Sequence, residues 1–268
     1  MSISHKTLAQ MALLKLYGCA RRTTLLSTPA GRAVFATAYE LYKLTIEAGP
    51  IRQLKPFVAP STFVLDIGAN VGFFTRRFAR WVSGNGRVIA LEPEPKNFEQ
   101  LVATINRKRL SALVDPIQAA AAEAEGTAFL KLNPDNPADH RLGENGLSVP
   151  TVTVDRLMEE RGWPSVSLIK IDVQGGEFRV LQGAKRTIAR NHPALFIEID
   201  DAHLRLAGCS AEILLRHVVE WGYSAHWLTR SAVSLSVSVE SCLESLAGSN
   251  SYADLLFLPL LQPVEADR

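Results

Sequence analysis

The chain has 268 residues, 47% of them hydrophobic and 21% charged, with a formal net charge of +2. That size and balance fit one α/β domain with an extension and exclude a disordered or low-complexity chain. The mild charge does not suggest a nucleic-acid binder, which usually shows a concentrated basic face. The scattered Cys19, Cys209 and Cys242 form no CxxC pair and no zinc spacing, which suits a reducing cytoplasm.

Residues 1–60 read as a helical extension. Thr7–Leu16 is apolar but interrupted by Gln10 and Lys15, and is too short to cross a bilayer. It predicts an amphipathic helix that packs on the main domain or covers a substrate, with peripheral membrane contact as the lesser alternative. Ala33–Ala48 has helical periodicity and stops at Gly49-Pro50.

Residues 61–262 form the main domain, and 263–268 a tail. Strands are expected at Phe63–Ile67, Arg87–Leu91 and Val114–Ala121, with helices at Gly72–Val82 and Lys96–Asn106 between them. The run Arg107-Lys108-Arg109 closes the second helix and suits its dipole, so it does not signal nucleic acid. Thr127–Leu132 and Val149–Val154 read as strands on either side of the polar loop Asn133–Gly146, which carries His140 and Arg141 as candidate acceptor contacts. Asp155–Arg161 follows as a helix, Ser167–Ile171 as a strand, Glu177–Arg190 as a helix and Ala194–Ile199 as a strand. Ser210 caps a helix to Trp221, and Tyr223–Leu228 and Tyr252–Leu258 close the sheet. The serine-rich stretch Ser231–Ser251 predicts turns and a weak edge hairpin. Strand–helix alternation of this kind predicts a mostly parallel, doubly wound α/β sheet with helices on both faces.

The first strand runs into Gly68-Ala69-Asn70-Val71-Gly72, at the position where such sheets bind ligands. The spacing is GxxxG, not the GxGxxG of pyrophosphate cofactors, and no Lys-Ser/Thr follows as in a P-loop. Asp66 would repel a pyrophosphate but can engage an amino group, which suits the methionine end of S-adenosylmethionine. A helix-capping acid on a tight turn is the bland alternative. Glu92, twenty positions after Gly72, ends the second strand ahead of Pro93 and is placed to accept from ribose hydroxyls. Small residues at 117–123, Ala120 among them, leave room for an adenine ring, although buried core alanines explain them equally well.

With these elements in view the chain resembles the FkbM family of methyltransferases. The resemblance runs through VLDIGANVGFFT (64–75), VIALEPEPKNFEQL (88–101), VPTVTVDRL (149–157), SLIKIDVQGGEFRVLQGA (167–184) and PALFIEID (193–200). It implies a Rossmann-like class I methyltransferase fold with a seven-stranded sheet, and S-adenosylmethionine as cofactor. It also implies transfer of methyl to an oxygen of a sugar, glycolipid or natural-product acceptor. One departure is Gln174, where the family commonly carries Glu. Lys170, Asp172 and Glu177 around the end of the fourth main strand are the candidate catalytic residues. Asp172 can serve as base or bind a cation, and Lys170 can hold it ionised or orient the acceptor. Glu198, Asp200 and Asp201 near Asp172 make Mg²⁺ a candidate second cofactor, and a solvated strand end with a helix cap explains them as well. The competing functions are a nicotinamide-binding protein of the same fold class and a non-catalytic relative that has lost its chemistry.

Overall fold

The computed structural model describes residues 48–133, 140–229, 231–247 and 252–260. The expected helix at Thr7–Leu16, most of that at Ala33–Ala48, residues 134–139 and the tail lie outside them. A helical turn at Ala48–Ile51 and a 3-10 turn at Arg52–Phe57 lead into the main sheet.

Five strands run parallel in the order β3, β2, β1, β8, β9: β1 Phe63–Ile67, β2 Arg87–Leu91, β3 Val114–Ile117, β8 Val166–Ile171 and β9 Ala194–Asp200. β12 (Tyr252–Pro259), β10 (Tyr223–Leu228) and β11 (Val233–Val237) continue it antiparallel, so the sheet has eight strands where seven were expected. The central strands are apolar on both faces because helices cover both. Leu65, Ile67, Ile89, Leu91, Ile169 and Ile171 enter one apolar layer, and Val64, Val88, Ala90 and Leu168 the other. Helices α1 (Thr75–Trp81) and α2 (Pro95–Arg107) pack on the second layer through Phe78, Leu101 and Ile105. On the first pack α3 (Val154–Glu160), α4 (Glu177–Gln182), α5 (Lys185–Asn191), α6 (Asp201–Leu206), α7 (Ala211–Glu220) and α8 (Val239–Ala247). Ser210 caps α7 as expected, its Oγ accepting from the Ile213 N–H.

Four local expectations are corrected. The third strand breaks after Ile117, and β4 (Ala120–Ala121) leaves for a separate four-stranded sheet with β7 (Leu147–Val152), β5 (Gly126–Lys131) and β6 (Arg141–Gly143). The first helix begins at Thr75, because residues 71–74 form a turn. The serine-rich stretch makes β11 of a hairpin with β10, but then α8, a helix that was not expected. The predicted helix Glu177–Arg190 is two helices broken at Gly183-Ala184.

Tertiary contact causes this last break. A Cβ on Gly183 would lie 2.0 Å from the Ala122 carbonyl oxygen, and the Gly183 carbonyl accepts from the Asp155 N–H. Asp155 then accepts from the Arg186 and Thr187 N–H groups, which restarts the helix. Gly183 has a negative φ, so the space alone demands glycine. Gly183→Ala is therefore expected to cost about 1–3 kcal/mol through overpacking, measured as a lowered urea midpoint at unchanged slope.

Candidate functional site

The site forms at the carboxyl ends of β1, β2, β8 and β9. Asp66 and Lys170 are register partners on β1 and β8, and Lys170 faces Phe196 of β9. Asp66 is wholly buried, at 0% exposure, and Lys170 nearly so, at 2%. The Lys170 Nζ lies 3.5 Å from Asp66 Oδ1 and 3.4 Å from Asp172 Oδ2. It donates to the carbonyls of Gly68 (2.7 Å) and Ile67 (3.2 Å), and sits 5.2 Å from the centre of the Phe74 ring. Asp66 Oδ2 accepts from the Thr75 hydroxyl at 2.5 Å. Burial raises the Asp66 pKa, and the Lys170 charge and the Thr75 hydrogen bond oppose that rise. The amino group meeting Asp66 in this structure is thus that of Lys170.

The glycine loop is suspended between two strands. The Gly68 and Ala69 N–H groups donate to the Leu91 carbonyl, and that of Asn70 to Glu92 Oε2 (2.8 Å). The Val71 N–H donates to the Asn70 side chain, and that of Gly72 to the Ala69 carbonyl. All five are spent inside the protein, so the loop has no nest of free N–H groups for a phosphate. A Cβ on Gly68 would lie 1.8 Å from the Asp172 carbonyl oxygen, and its φ is +77°, so both space and conformation require glycine.

Glu92 is 5% exposed. Its Oε1 accepts from the Glu94 N–H (3.0 Å) as Oε2 does from Asn70. A carboxylate has about four acceptor positions, so each oxygen keeps capacity for a hydroxyl. Burial pushes its pKa up to about 7, against those two hydrogen bonds. Pro93 follows, half-buried. Ala120 packs with Leu130 and Val149 in the small sheet, which explains its size without a ligand.

Asp172 is the accessible acid, with 30% of its side chain exposed. Gln174 Nε2 donates to Asp172 Oδ1 (3.0 Å) and to Glu198 Oε2 (2.7 Å). Glu177, expected beside the chemistry, turns inward instead. Its Oε1 accepts from the Val173 and Gly175 N–H groups, and burial raises its pKa to about 7. It shapes the turn after β8. His140 Nδ1 accepts from the Asn133 N–H, and Arg141 opens β6.

The acids proposed for Mg²⁺ do not gather. Asp200 caps α6 through the Ala202 and His203 N–H groups, and Asp201 engages Arg205 and the Ala211 N–H. Among the described residues, no group of three or more His, Cys, Asp or Glu is arranged to hold a metal ion. Thr75, Phe74 and the bond from Gln174 to Glu198 were not foreseen, although Thr75 sits within the recognised first motif.

The described strands thus form a doubly wound sheet with a closed glycine loop beside Glu92, a buried acid at the end of β2. The model of the methyltransferase FkbM domain matches residues 66–224, more than half of the chain. The chain belongs to that family. It is 28% identical over 139 residues to hexuronic acid methyltransferase AglP of Haloferax volcanii, covering 51% of this chain and 56% of that protein. It is 29% identical over 160 residues to 31-O-demethyl-FK506 methyltransferase FkbM of Streptomyces tacrolimicus, covering 47% and 60%. To 2-O-methyltransferase NoeI of Sinorhizobium fredii it is 27% identical over 168 residues, covering 54% and 66%. The matches thus span between about half and two thirds of these relatives' lengths. A crystal structure of methyltransferase FkbM from Methylobacillus flagellatus matches 92% of this chain and 58% of its own, at 16% identity and a TM-score of 0.49. No helix among the described residues is long and apolar enough to cross a membrane.

Replacing Lys170 with Met leaves Asp66 buried without its counter-charge. At pH 8 this is expected to cost about 3–5 kcal/mol. The loss should shrink toward pH 4, where Asp66, its pKa already raised, takes up a proton. Urea unfolding of Lys170→Met and wild type at the two pH values checks both.

Proposed function

We propose that the chain is an S-adenosylmethionine-dependent methyltransferase that methylates a hydroxyl of a sugar, glycolipid or natural-product acceptor. The observation that carries this reading is the glycine loop beside Glu92: its five N–H groups are spent inside the protein, and Glu92 stands next to it with acceptor capacity that a ribose diol would use. The same feature argues against a nicotinamide dinucleotide, whose pyrophosphate needs free N–H donors. Support for the acceptor class comes from the relatives named for hexuronic acid, for a 31-O-demethyl macrolide and for 2-O-methylation.

The residues fit this cofactor. Gly68 and Gly72 let the chain turn beneath a ligand, and Glu92 would take the ribose hydroxyls. Asp66 and Lys170 fix the loop from below. When bound, S-adenosylmethionine supplies a methyl group on an electrophilic sulfonium. Asp172, accessible and beside the Lys170 ammonium, would accept the proton of the acceptor hydroxyl as the methyl passes to that oxygen and S-adenosylhomocysteine is left as the neutral thioether. Lys170 and Gln174 keep that carboxylate oriented. Glu177 holds the turn that carries it.

Ribose binding favours ionised Glu92, whose pKa lies at about 7 in the ligand-free protein. S-adenosylhomocysteine affinity should therefore rise as the pH passes upward through 7 and then level off. Glu92→Gln should weaken binding roughly 10–100-fold and abolish that pH dependence. Calorimetry from pH 6 to 9 measures both, and folded wild type that binds no S-adenosylhomocysteine would reject the function.

A further inference from the structure

Gln174 holds a conformation that most side chains avoid. Its φ is +56°, in the left-handed region that glycine enters freely. The next residue, Gly175, also has a positive φ, and a Cβ there would lie 2.5 Å from the His203 carbonyl oxygen. Glu177 Oε1 pins the turn by accepting the N–H groups of Val173 and Gly175, on either side of Gln174. The backbone would be satisfied by glycine at 174, and a long amide stands there instead. Its Nε2 donates to Asp172 at the end of β8 and to Glu198 on β9. An amide nitrogen has two hydrogens, and here both are used on carboxylates from different strands.

We propose that Gln174 is a positioning residue that does the work of a bridging cation: its amide binds Asp172 to Glu198 and, with the Lys170 ammonium beside Asp172, holds the two carboxylates fixed across the strand ends. Two facing carboxylates repel each other unless a proton, a metal ion or a donor lies between them. In this chain the donor is built in. The role rests on reading Asp172 as the proton acceptor, because a base held between a neutral amide and the Lys170 ammonium needs no bound ion to stay in place.

The consequence is a latent metal site. Gln174→Glu places a third carboxylate between Asp172 and Glu198, and three acids together demand a proton or a divalent ion. Gln174→Gly removes the bridge, adds no charge and relieves the backbone, so it guards against a variant that fails to fold.

The test is Mn²⁺ binding at pH 8, read by electron paramagnetic resonance, with thermal melting in the presence and absence of Mg²⁺ and S-adenosylhomocysteine calorimetry on the same samples. Gln174→Glu is expected to bind Mn²⁺ roughly tenfold or more tightly than wild type. It should melt below wild type at pH 8 and recover on adding Mg²⁺ or lowering the pH. Gln174→Gly should melt no higher than wild type despite its relieved backbone, and should gain a smaller Mn²⁺ affinity. Glu198→Gln in the Gln174→Glu background should abolish the gain. Wild type that binds Mn²⁺ as tightly as Gln174→Glu would overturn the proposal, as would two variants that gain no Mn²⁺ affinity. Failure of S-adenosylhomocysteine binding in wild type would instead strike the cofactor reading, so the two failures are distinguishable.

Discussion

The Lys170 ammonium is the point at which strand, loop and acid meet. It is buried where β1 and β8 run side by side, between Asp66 and Asp172, and donates to the carbonyls of Ile67 and Gly68. A charge at such depth is tolerable only with partners of this kind. Those partners are the end of the first strand, the first residue of the glycine loop and the accessible acid. One electrostatic requirement thus fixes where the loop turns and where Asp172 stands. Thr75 extends the arrangement into α1, and Phe74 closes it with an aromatic face.

From that anchor the chemistry of the loop follows. With the Gly68 and Gly72 turns set, the N–H groups fall on Leu91, Glu92, Asn70 and Ala69, and none remains for a phosphate. The loop therefore works as a shaped backbone surface with one carboxylate at its edge. The same economy appears after β8, where Glu177 collects the N–H groups of the turn and Gln174 reaches two acids. Residues that look catalytic by type divide into those facing solvent and those holding the turn.

The parallel half of the sheet was legible because doubly covered strands are short apolar runs punctuated by glycine, and the loop and Glu92 followed from spacing. The small second sheet was not: β5 and β7 look like any other strands, and only non-local pairing sets them apart. The break at Gly183 was hidden because local propensity favours helix through the segment, whereas contact with Ala122 decides it. Glu177 was read by its type and neighbours, but its direction depends on backbone donors that spacing does not reveal. The acids after Ile197 suggested a metal, and capping claimed Asp200 and Asp201.

The central claim is that the segment pinned by Lys170 is the surface that receives the methyl donor. Amide hydrogen exchange of the wild-type protein, with and without saturating S-adenosylhomocysteine, tests it most directly. The account predicts added protection at residues 66–72 and at Glu92 and Glu94, with the small sheet of β5 and β7 unchanged. Protection that rises elsewhere while the glycine loop exchanges as before would contradict it.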